Sequence, residues 1–171
     1  SYGNAGLLAS GSIVPVTGPG LIGKAPKMLF NPDQPLFLRW SYLPKLLPWL
    51  FKYLSHANAE DSRRIASALH DIIGDSVADH QALAAGTGAE QWIKPQEYMV
   101  AYNNRAHYEG DAFAWSIRRA HGVQFEELEG AALAAQETVL SDDIKFGVRV
   151  LNHGRISDPG AYVKALAAHV V

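Results

Sequence analysis

The chain has 171 residues, of which 48% are hydrophobic and 19% charged, and its net charge is −2 with histidine neutral. This length is enough for one domain with a real core, and the nearly even charge balance argues against a nucleic-acid-binding surface. The absence of cysteine excludes disulfides, thiolate nucleophiles and cysteine metal sites. No apolar run reaches the ~18 residues of a membrane-spanning helix, so we expect a soluble chain.

Small residues crowd together at the beginning of the chain, just before an apolar stretch. Gly3, Ala5 and Gly6 leave little side-chain volume, so a flat or charged group could lie directly against backbone N–H groups. A plain exposed turn before a strand is the alternative. Residues 7–16 are apolar enough for that strand, and Pro15 confines it to a sheet edge or a strand end.

A glycine-rich stretch over residues 17–25 resembles two phosphate-binding patterns. The glycines that match are Gly18, Gly20 and Gly23. A dinucleotide site also needs an uninterrupted strand before the glycines and an acid about 20 residues later, and both are missing. A phosphate-binding loop needs a hydroxyl after Lys24, where Ala25 stands. The stretch therefore predicts a turn followed by a short helix over residues 24–30.

Two helices are predicted in the next part of the chain. Residues 43–54 form a helix that is apolar almost all round, which is typical of a buried core helix. A docking surface for a membrane or a partner protein is the alternative, because Trp49, Phe51 and Tyr53 accompany Lys45 and Lys52 in this helix. Residues 58–86 have apolar residues at helical spacing and an acidic row that we interpret as a solvated face rather than a metal site.

The second half of the chain alternates strands with helices. Strands are predicted over 97–102, 123–128, 146–151 and 155–157, and helices over 106–121, 129–137 and 158–171. Asn152-His153-Gly154 is interpreted as a hairpin turn between the last two strands, and Asp158 as the N-cap of the last helix. The pattern predicts an α+β fold, an antiparallel sheet with helices packed on one face.

The opening run Ser1-Tyr2-Gly3-Asn4-Ala5-Gly6-Leu7-Leu8-Ala9-Ser10-Gly11 resembles a segment of FAD-dependent oxidoreductases of the D-amino-acid oxidase superfamily. The resemblance is strongest to the small subunit of bacterial D-amino-acid dehydrogenases. Further matching motifs follow in the family's order: Pro19-Gly20, residues 24–29, residues 32–36, Leu47-Pro48-Trp49-Leu50, His121-Gly122-Val123 and Asp158-Pro159. The resemblance covers the whole chain, and in that family the opening segment follows a glycine-rich unit that holds the FAD diphosphate.

The resemblance implies that residues 1–171 are a single domain, the substrate-binding portion of a longer flavoenzyme. Residues 1–16 would be a flavin-facing loop and strand, and residues 158–171 a helix leading back toward the FAD domain. In the resembled enzymes FAD takes a hydride from the α-carbon of an amino acid. The implied partners are a small-molecule amino acid and the remaining FAD-binding part of the same protein. This chain alone is expected to be inactive and to bind FAD weakly or not at all.

Site residues are transferred from the resemblance one by one. The flavin-contacting residues implied are Ser1, Asn4, Ala5, Gly6 and Leu7. Candidates for the substrate side are Tyr98, Tyr102 and His153, each of which has a structural role as its alternative. No catalytic residue and no metal ligand is assigned. The expected location is cytoplasmic, with Leu43–Leu54 as a surface for peripheral contact with the inner membrane or a partner. A free-standing interaction or structural domain without catalysis is the alternative function.

Overall fold

The computed structural model describes residues 4–21, 23 and 40–170. The chain forms two compact units, of which the first consists of residues 1–13 and 69–171 and the second of residues 14–68. The helix predicted over residues 24–30 lies outside the described residues. Among the described helices, none is both long and apolar enough to cross a lipid bilayer.

In the second unit, a 3-10 turn at Trp40–Tyr42 leads into helix α1, Leu43–Ser55. The helix predicted over residues 43–54 is thereby confirmed. Helix α2, Ala59–Ile73, follows after Asn58, whose side chain accepts a hydrogen bond from the Asp61 amide at 2.9 Å. The turn predicted in the glycine-rich stretch is also present, because the Leu21 amide donates to the Gly18 carbonyl at 3.2 Å.

The first unit is built on four antiparallel strands. They are β1, Leu7–Leu8; β2, Ile93–Tyr102; β3, Phe125–Glu129; and β4, Phe146–Ile156. Strand β4 is central, since it pairs with each of the other three. The predicted α+β class with an antiparallel sheet is confirmed.

The predicted hairpin at residues 152–154 is wrong, because β4 runs through these residues as one strand. Val150 pairs with Tyr98 and His153 with Gln96, so β4 has one more residue than β2 between these pairs. This extra residue forms a β-bulge, in which Asn152 has a φ of 58°. Asparagine tolerates this left-handed backbone, which is also why it is common in turns. The tolerance of asparagine for a left-handed backbone therefore explains both the observed bulge and the mistaken prediction of a turn.

The helices of the first unit are α3, Ser76–Ala84; α4, Arg105–Gly110; α5, Ala112–Ala120; α6, Gly130–Gln136; and α7, Pro159–Val170, with a 3-10 turn at Glu90–Trp92. The helix predicted over 58–86 is divided between α2 and α3, and the one predicted over 106–121 between α4 and α5. The Asp158 N-cap is confirmed, since its Oδ1 accepts from the Ala161 amide at 2.9 Å.

Because of the bulge, the two ends of β4 contribute side chains to hydrophobic clusters on opposite faces of the sheet. Val150 and His153 lie on one face of the sheet, because their partners on β2 are two residues apart, and Ile156 lies on the other. One hydrophobic cluster contains Tyr108, Trp115, Phe146, Val148 and Val150. A second contains Leu8, Ala84, Ala89, Ile156 and Tyr162. Helices therefore contact both faces of the sheet rather than only one.

Candidate functional site

The segment implied to face a flavin lies at the β1 edge of the sheet. Asn4, Ala5 and Leu7 are exposed, whereas Gly6 is buried. The Asn4 side chain accepts a hydrogen bond from the Gly6 amide at 2.6 Å and holds the turn closed. Ser1, the fifth residue of the implied set, lies outside the described residues.

Gly6 is required at its position by two features of the backbone. Its φ is 72°, in the left-handed region that side chains with a Cβ rarely adopt. An added Cβ would also overlap the carbonyl oxygen of Ile156. The Gly6 carbonyl accepts from the Ile156 amide at 2.6 Å, so the turn is attached directly to β4.

The residues around Gly6 leave room for a flat ligand. Ala5 is exposed and carries only a methyl group, and no described group forms a hydrogen bond with its amide. An exposed N–H beside a small side chain can donate to a carbonyl of an aromatic ring system that lies against it. The segment Asn4–Leu7 therefore fits the isoalloxazine ring of a flavin in donor chemistry and bulk.

Two positive charges lie next to this segment in the sheet, Arg155 on β4 and Lys94 on β2 beyond it. Arg155 pairs in register with Leu7 on one side and with Lys94 on the other, so the three side chains share one face of the sheet. Lys94 and Arg155 are exposed, and within the described part of the chain no carboxylate forms an ion pair with either. Like charges directly across a strand pair are unfavourable. The face of the sheet beside Leu7 therefore carries a positive field that favours an anionic ligand.

His153 is buried, with 5% of its surface exposed, and both ring nitrogens are engaged. Its Nδ1 lies 2.7 Å from the Leu151 carbonyl, which can only accept a hydrogen bond, so Nδ1 carries the proton. Its Nε2 accepts from the Gly11 amide at 2.9 Å. In this arrangement neither nitrogen is available to a substrate.

Tyr98 packs edge-on against His153, with 4.9 Å between the ring centroids. Tyr98 is also among the residues around a pocket of about 390 Å³, together with Glu97, Met99 and Arg149. Arg149 forms ion pairs with Glu97 and with a glutamate of β3. Neither Tyr102 nor His153 lines this pocket.

Tyr102 lies at the other end of β2, roughly 13 Å from Tyr98 at the usual rise along a strand. Its hydroxyl accepts from the Trp115 indole at 2.9 Å and lies 3.1 Å from Asp111 Oδ2, to which it donates. Burial raises the pKa of the Tyr102 phenol. Tyr102 thus belongs to the contacts between the sheet and α5.

The three substrate-side candidates are therefore not one cluster: Tyr98 and His153 are in contact, and Tyr102 is apart. Sequence reasoning missed Gly11, which is buried beside the imidazole, as well as Lys94 and Arg155. Side chains alternate between the two faces of a sheet along each strand, so the sequence of β2 could have indicated that Lys94 and Tyr98 lie on the same face. Arg155 could not have been placed in this way, because the bulge shifts the alternation of β4.

Helix α1 presents a second notable surface, in the second unit. None of its residues is buried, and Trp49 and Phe51 are 57% and 70% exposed. Trp49 stacks on Tyr53 with 4.8 Å between the ring centroids. Lys45 and Lys52 are the charged residues of this helix, and residues 40–58 contain no acid.

Comparison with known proteins identifies one class of relatives, oxidoreductases named for D-amino acids. The chain is 41% identical over its whole length to a D-amino-acid oxidase of Bradyrhizobium diazoefficiens, of which it spans 41%. It is 32% identical to D-amino acid dehydrogenase 2 of Ralstonia nicotianae, over 93% of this chain and 36% of that protein. A D-amino acid dehydrogenase of Helicobacter pylori is 25% identical over 99% of the chain and 40% of that protein.

The chain is thus homologous, along its whole length, to part of the bacterial D-amino-acid oxidases and dehydrogenases. It spans about two fifths of the length of these curated relatives. No family model matches the chain, and no solved structure matches it.

Proposed function

We propose that this chain is the substrate-side part of an FAD-dependent oxidoreductase that oxidises a D-amino acid. The observation that carries the proposal is the 41% identity, along the entire chain, with a protein named D-amino-acid oxidase. Exposed Ala5 supports it, because its small side chain leaves room for a flavin ring and no described group forms a hydrogen bond with its amide. The positive pair formed by Lys94 and Arg155 on one face of the sheet suits ligands that carry a carboxylate or a phosphate.

The residues of this chain would bind and orient. When bound, FAD would supply the oxidising chemistry, accepting a hydride from the α-carbon of the amino acid. The Ala5 amide would donate to the ring, and the Gly6 turn would hold that amide in a fixed position relative to β4. Lys94 and Arg155 would attract the anionic groups, and Tyr98 would line the substrate side.

The test uses the full-length protein that contains this chain. We expect it to be purified yellow, with flavin absorbance that bleaches without oxygen when a D-amino acid is added and not when its L-enantiomer is added. A colourless, folded full-length protein would contradict the proposal.

A matched pair of variants tests the site. Ala5→Leu adds bulk where the ring would lie, and Ala135→Leu makes the same change at an exposed position on α6. We expect Ala5→Leu to weaken flavin binding at least tenfold, equivalent to about 1.4 kcal/mol, and Ala135→Leu to leave it unchanged. Equal flavin affinity in the two variants would remove Asn4–Leu7 from the site.

Helix α1 favours a second, additional function, contact with an anionic membrane surface. Exposed Trp49 and Phe51 next to Lys45 and Lys52, in a stretch from residue 40 to residue 58 that contains no acid, are features of helices that lie in the membrane interface. We expect the full-length protein to bind vesicles that contain anionic phosphatidylglycerol, and the double variant Trp49→Ala, Phe51→Ala to bind several-fold more weakly.

The control for the vesicle experiment is Ile72→Ala, which removes an apolar side chain that is 73% exposed elsewhere on the surface. Loss of binding in this control would indicate nonspecific hydrophobic adsorption of the protein to the vesicles. Absence of vesicle binding by the wild type would instead favour contact between α1 and another protein surface.

A further inference from the structure

The flavin-facing segment is attached to β4 at two points. At the first, the Gly6 carbonyl accepts from the Ile156 amide. At the second, the Gly11 amide donates to His153 Nε2. Between them lies β1, which is only two residues long. So short a strand gives little stability of its own, and the second attachment matters for holding the segment in place.

The contact at Gly11 is specific in geometry. A Cβ added to Gly11 would lie 3.1 Å from His153 Nε2 and 3.1 Å from a methyl carbon of Val123, so the backbone approaches the imidazole closely. The turn that presents the Gly11 amide is closed by a hydrogen bond from the Ser12 amide to the Ala9 carbonyl at 2.9 Å. The loop therefore orients the Gly11 amide toward the imidazole of His153.

Two contacts also fix the orientation of the His153 imidazole. Its Nδ1–H donates to the Leu151 carbonyl, and Tyr98 packs against the ring edge-on. The bulge at Asn152 places His153 on the face of Tyr98. Because Nδ1 is the donor, Nε2 of the neutral ring keeps a lone pair for the Gly11 amide.

We infer that His153 is a positioning residue. It fixes the loop after β1 and thereby the position of the Asn4–Leu7 backbone relative to the flavin ring. This inference rests on the proposed function, and it gives His153 a role other than substrate contact. The side chain acts through Gly11 and needs an acceptor at the position of Nε2, not a charge.

The experiment compares three variants of the full-length protein. His153→Gln carries an amide oxygen that reaches the position of Nε2, His153→Asn carries one only at the position of Nδ1, and His153→Leu carries none. Two quantities are measured: the affinity for FAD, and hydrogen exchange of the Gly11 amide, read by mass spectrometry with residue-level fragmentation. The amides of Val148 and Val150 report on the fold of the sheet.

We expect His153→Gln to retain Gly11 protection and FAD affinity within about threefold. His153→Asn and His153→Leu should lose Gly11 protection and bind FAD at least tenfold more weakly, with the protection of Val148 and Val150 unchanged. If His153→Leu does not fold, the comparison of the Gln and Asn variants decides the question.

Unchanged Gly11 exchange in a folded His153→Asn variant, or unchanged FAD affinity despite lost protection, would overturn the inference. Equal losses in the Gln and Asn variants would also overturn it, since a merely structural histidine would not be rescued by an acceptor. A wild-type protein that binds no FAD would defeat the proposed function instead, and the Gly11 exchange would still show whether His153 fixes the loop.

Discussion

The Gly6 carbonyl accepts a hydrogen bond from the Ile156 amide while the Gly6 α-carbon rests against the Ile156 carbonyl. This contact joins the turn before β1 to the last residue of the central strand. It is available only to glycine, because of both the positive φ and the lack of space for a Cβ.

Gly6→Ala should therefore destabilise the first unit by about 2 kcal/mol or more, since the left-handed backbone alone costs about 1–2 kcal/mol for a residue with a Cβ. Urea unfolding measures the change. Gly110→Ala is the control, because a Cβ at Gly110, the last residue of α4, would have no neighbour within 4 Å. We expect it to be neutral or slightly stabilising, and an equal loss in both variants would contradict this account of Gly6.

Phe146 is fully buried at the start of β4, stacked on Tyr108 with 4.7 Å between the ring centroids. Phe146→Ala should cost about 3–5 kcal/mol, because it removes a large apolar side chain and leaves a cavity. Val139→Ala removes apolar atoms from a side chain that is 87% exposed and should change the stability by less than about 0.5 kcal/mol. A small loss in Phe146→Ala would mean that this cluster is not a packed core.

Tyr108 donates its hydroxyl hydrogen to Glu127 at 2.5 Å and accepts from Arg119 at 3.0 Å. Burial, followed by the hydrogen bond to Glu127, raises the pKa of this phenol. Tyr108→Phe should cost about 1.5–3 kcal/mol at pH 7, as expected for a hydrogen bond to a charged group. Tyr42→Phe, at a tyrosine that is 53% exposed, is the control and should have no measurable effect on the unfolding midpoint.

The sign of the pH dependence follows from the raised pKa of Tyr108. The folded state keeps the phenol proton more tightly than the unfolded state does, so this stabilisation is complete below pH 10 and declines as the pH rises above it. The stability difference between wild type and Tyr108→Phe should accordingly shrink at alkaline pH. A difference that grew above pH 10 would contradict the assignment of Tyr108 as the donor.

Asp61 shows the opposite dependence. Hydrogen bonds from Arg64, Asn58 and His56 hold the pKa of the Asp61 carboxyl well below its usual value of 3.8. A lowered pKa in the folded state gives stabilisation that is present above the unfolded value and is lost as the pH falls. Asp61→Asn should therefore lower the urea midpoint at pH 7, and the difference from wild type should decrease below about pH 4.

Glu60→Gln is the control for Asp61, since Glu60 is an exposed carboxylate of the same helix. We expect its difference from wild type to be smaller and to change less with pH. A pH-independent loss in Asp61→Asn would show that the carboxylate charge is not what stabilises this helix start.

The elements with strong local signals were predictable from the sequence. The Asp158 cap, the helix over 43–54 and the strand over 97–102 all follow from local chemistry or periodicity, and all are present, although the strand begins four residues earlier, at Ile93. Helix breaks were less predictable. Gly74 and Asp75 separate α2 from α3 within an apolar pattern that continues across them, so periodicity alone predicted one helix.

Long-range relationships could not be predicted. The contact of His153 with Gly11 spans 142 residues, and nothing near either residue in the sequence indicates it. The chemistry of histidine suggested a ligand-binding role, whereas both of its nitrogens are used within the chain. The small residues around Asn4–Leu7 indicated that a flat or charged group could lie against the backbone, and only the resemblance indicated that this group is a flavin.

The single extra residue in β4 has a consequence for sequence change. Removal of Asn152 would restore strict alternation along the strand and would leave His153, Arg155 and Ile156 on the faces that they already occupy, because β4 would then have no residue in excess of β2. A deletion of one amino acid at Asn152, which is exposed to solvent, would thus be less damaging than a deletion elsewhere in β4, where the residues that follow would turn to the opposite face. Among natural variants of this protein, a strand that is one residue shorter should lack the residue at this bulge rather than one elsewhere in β4.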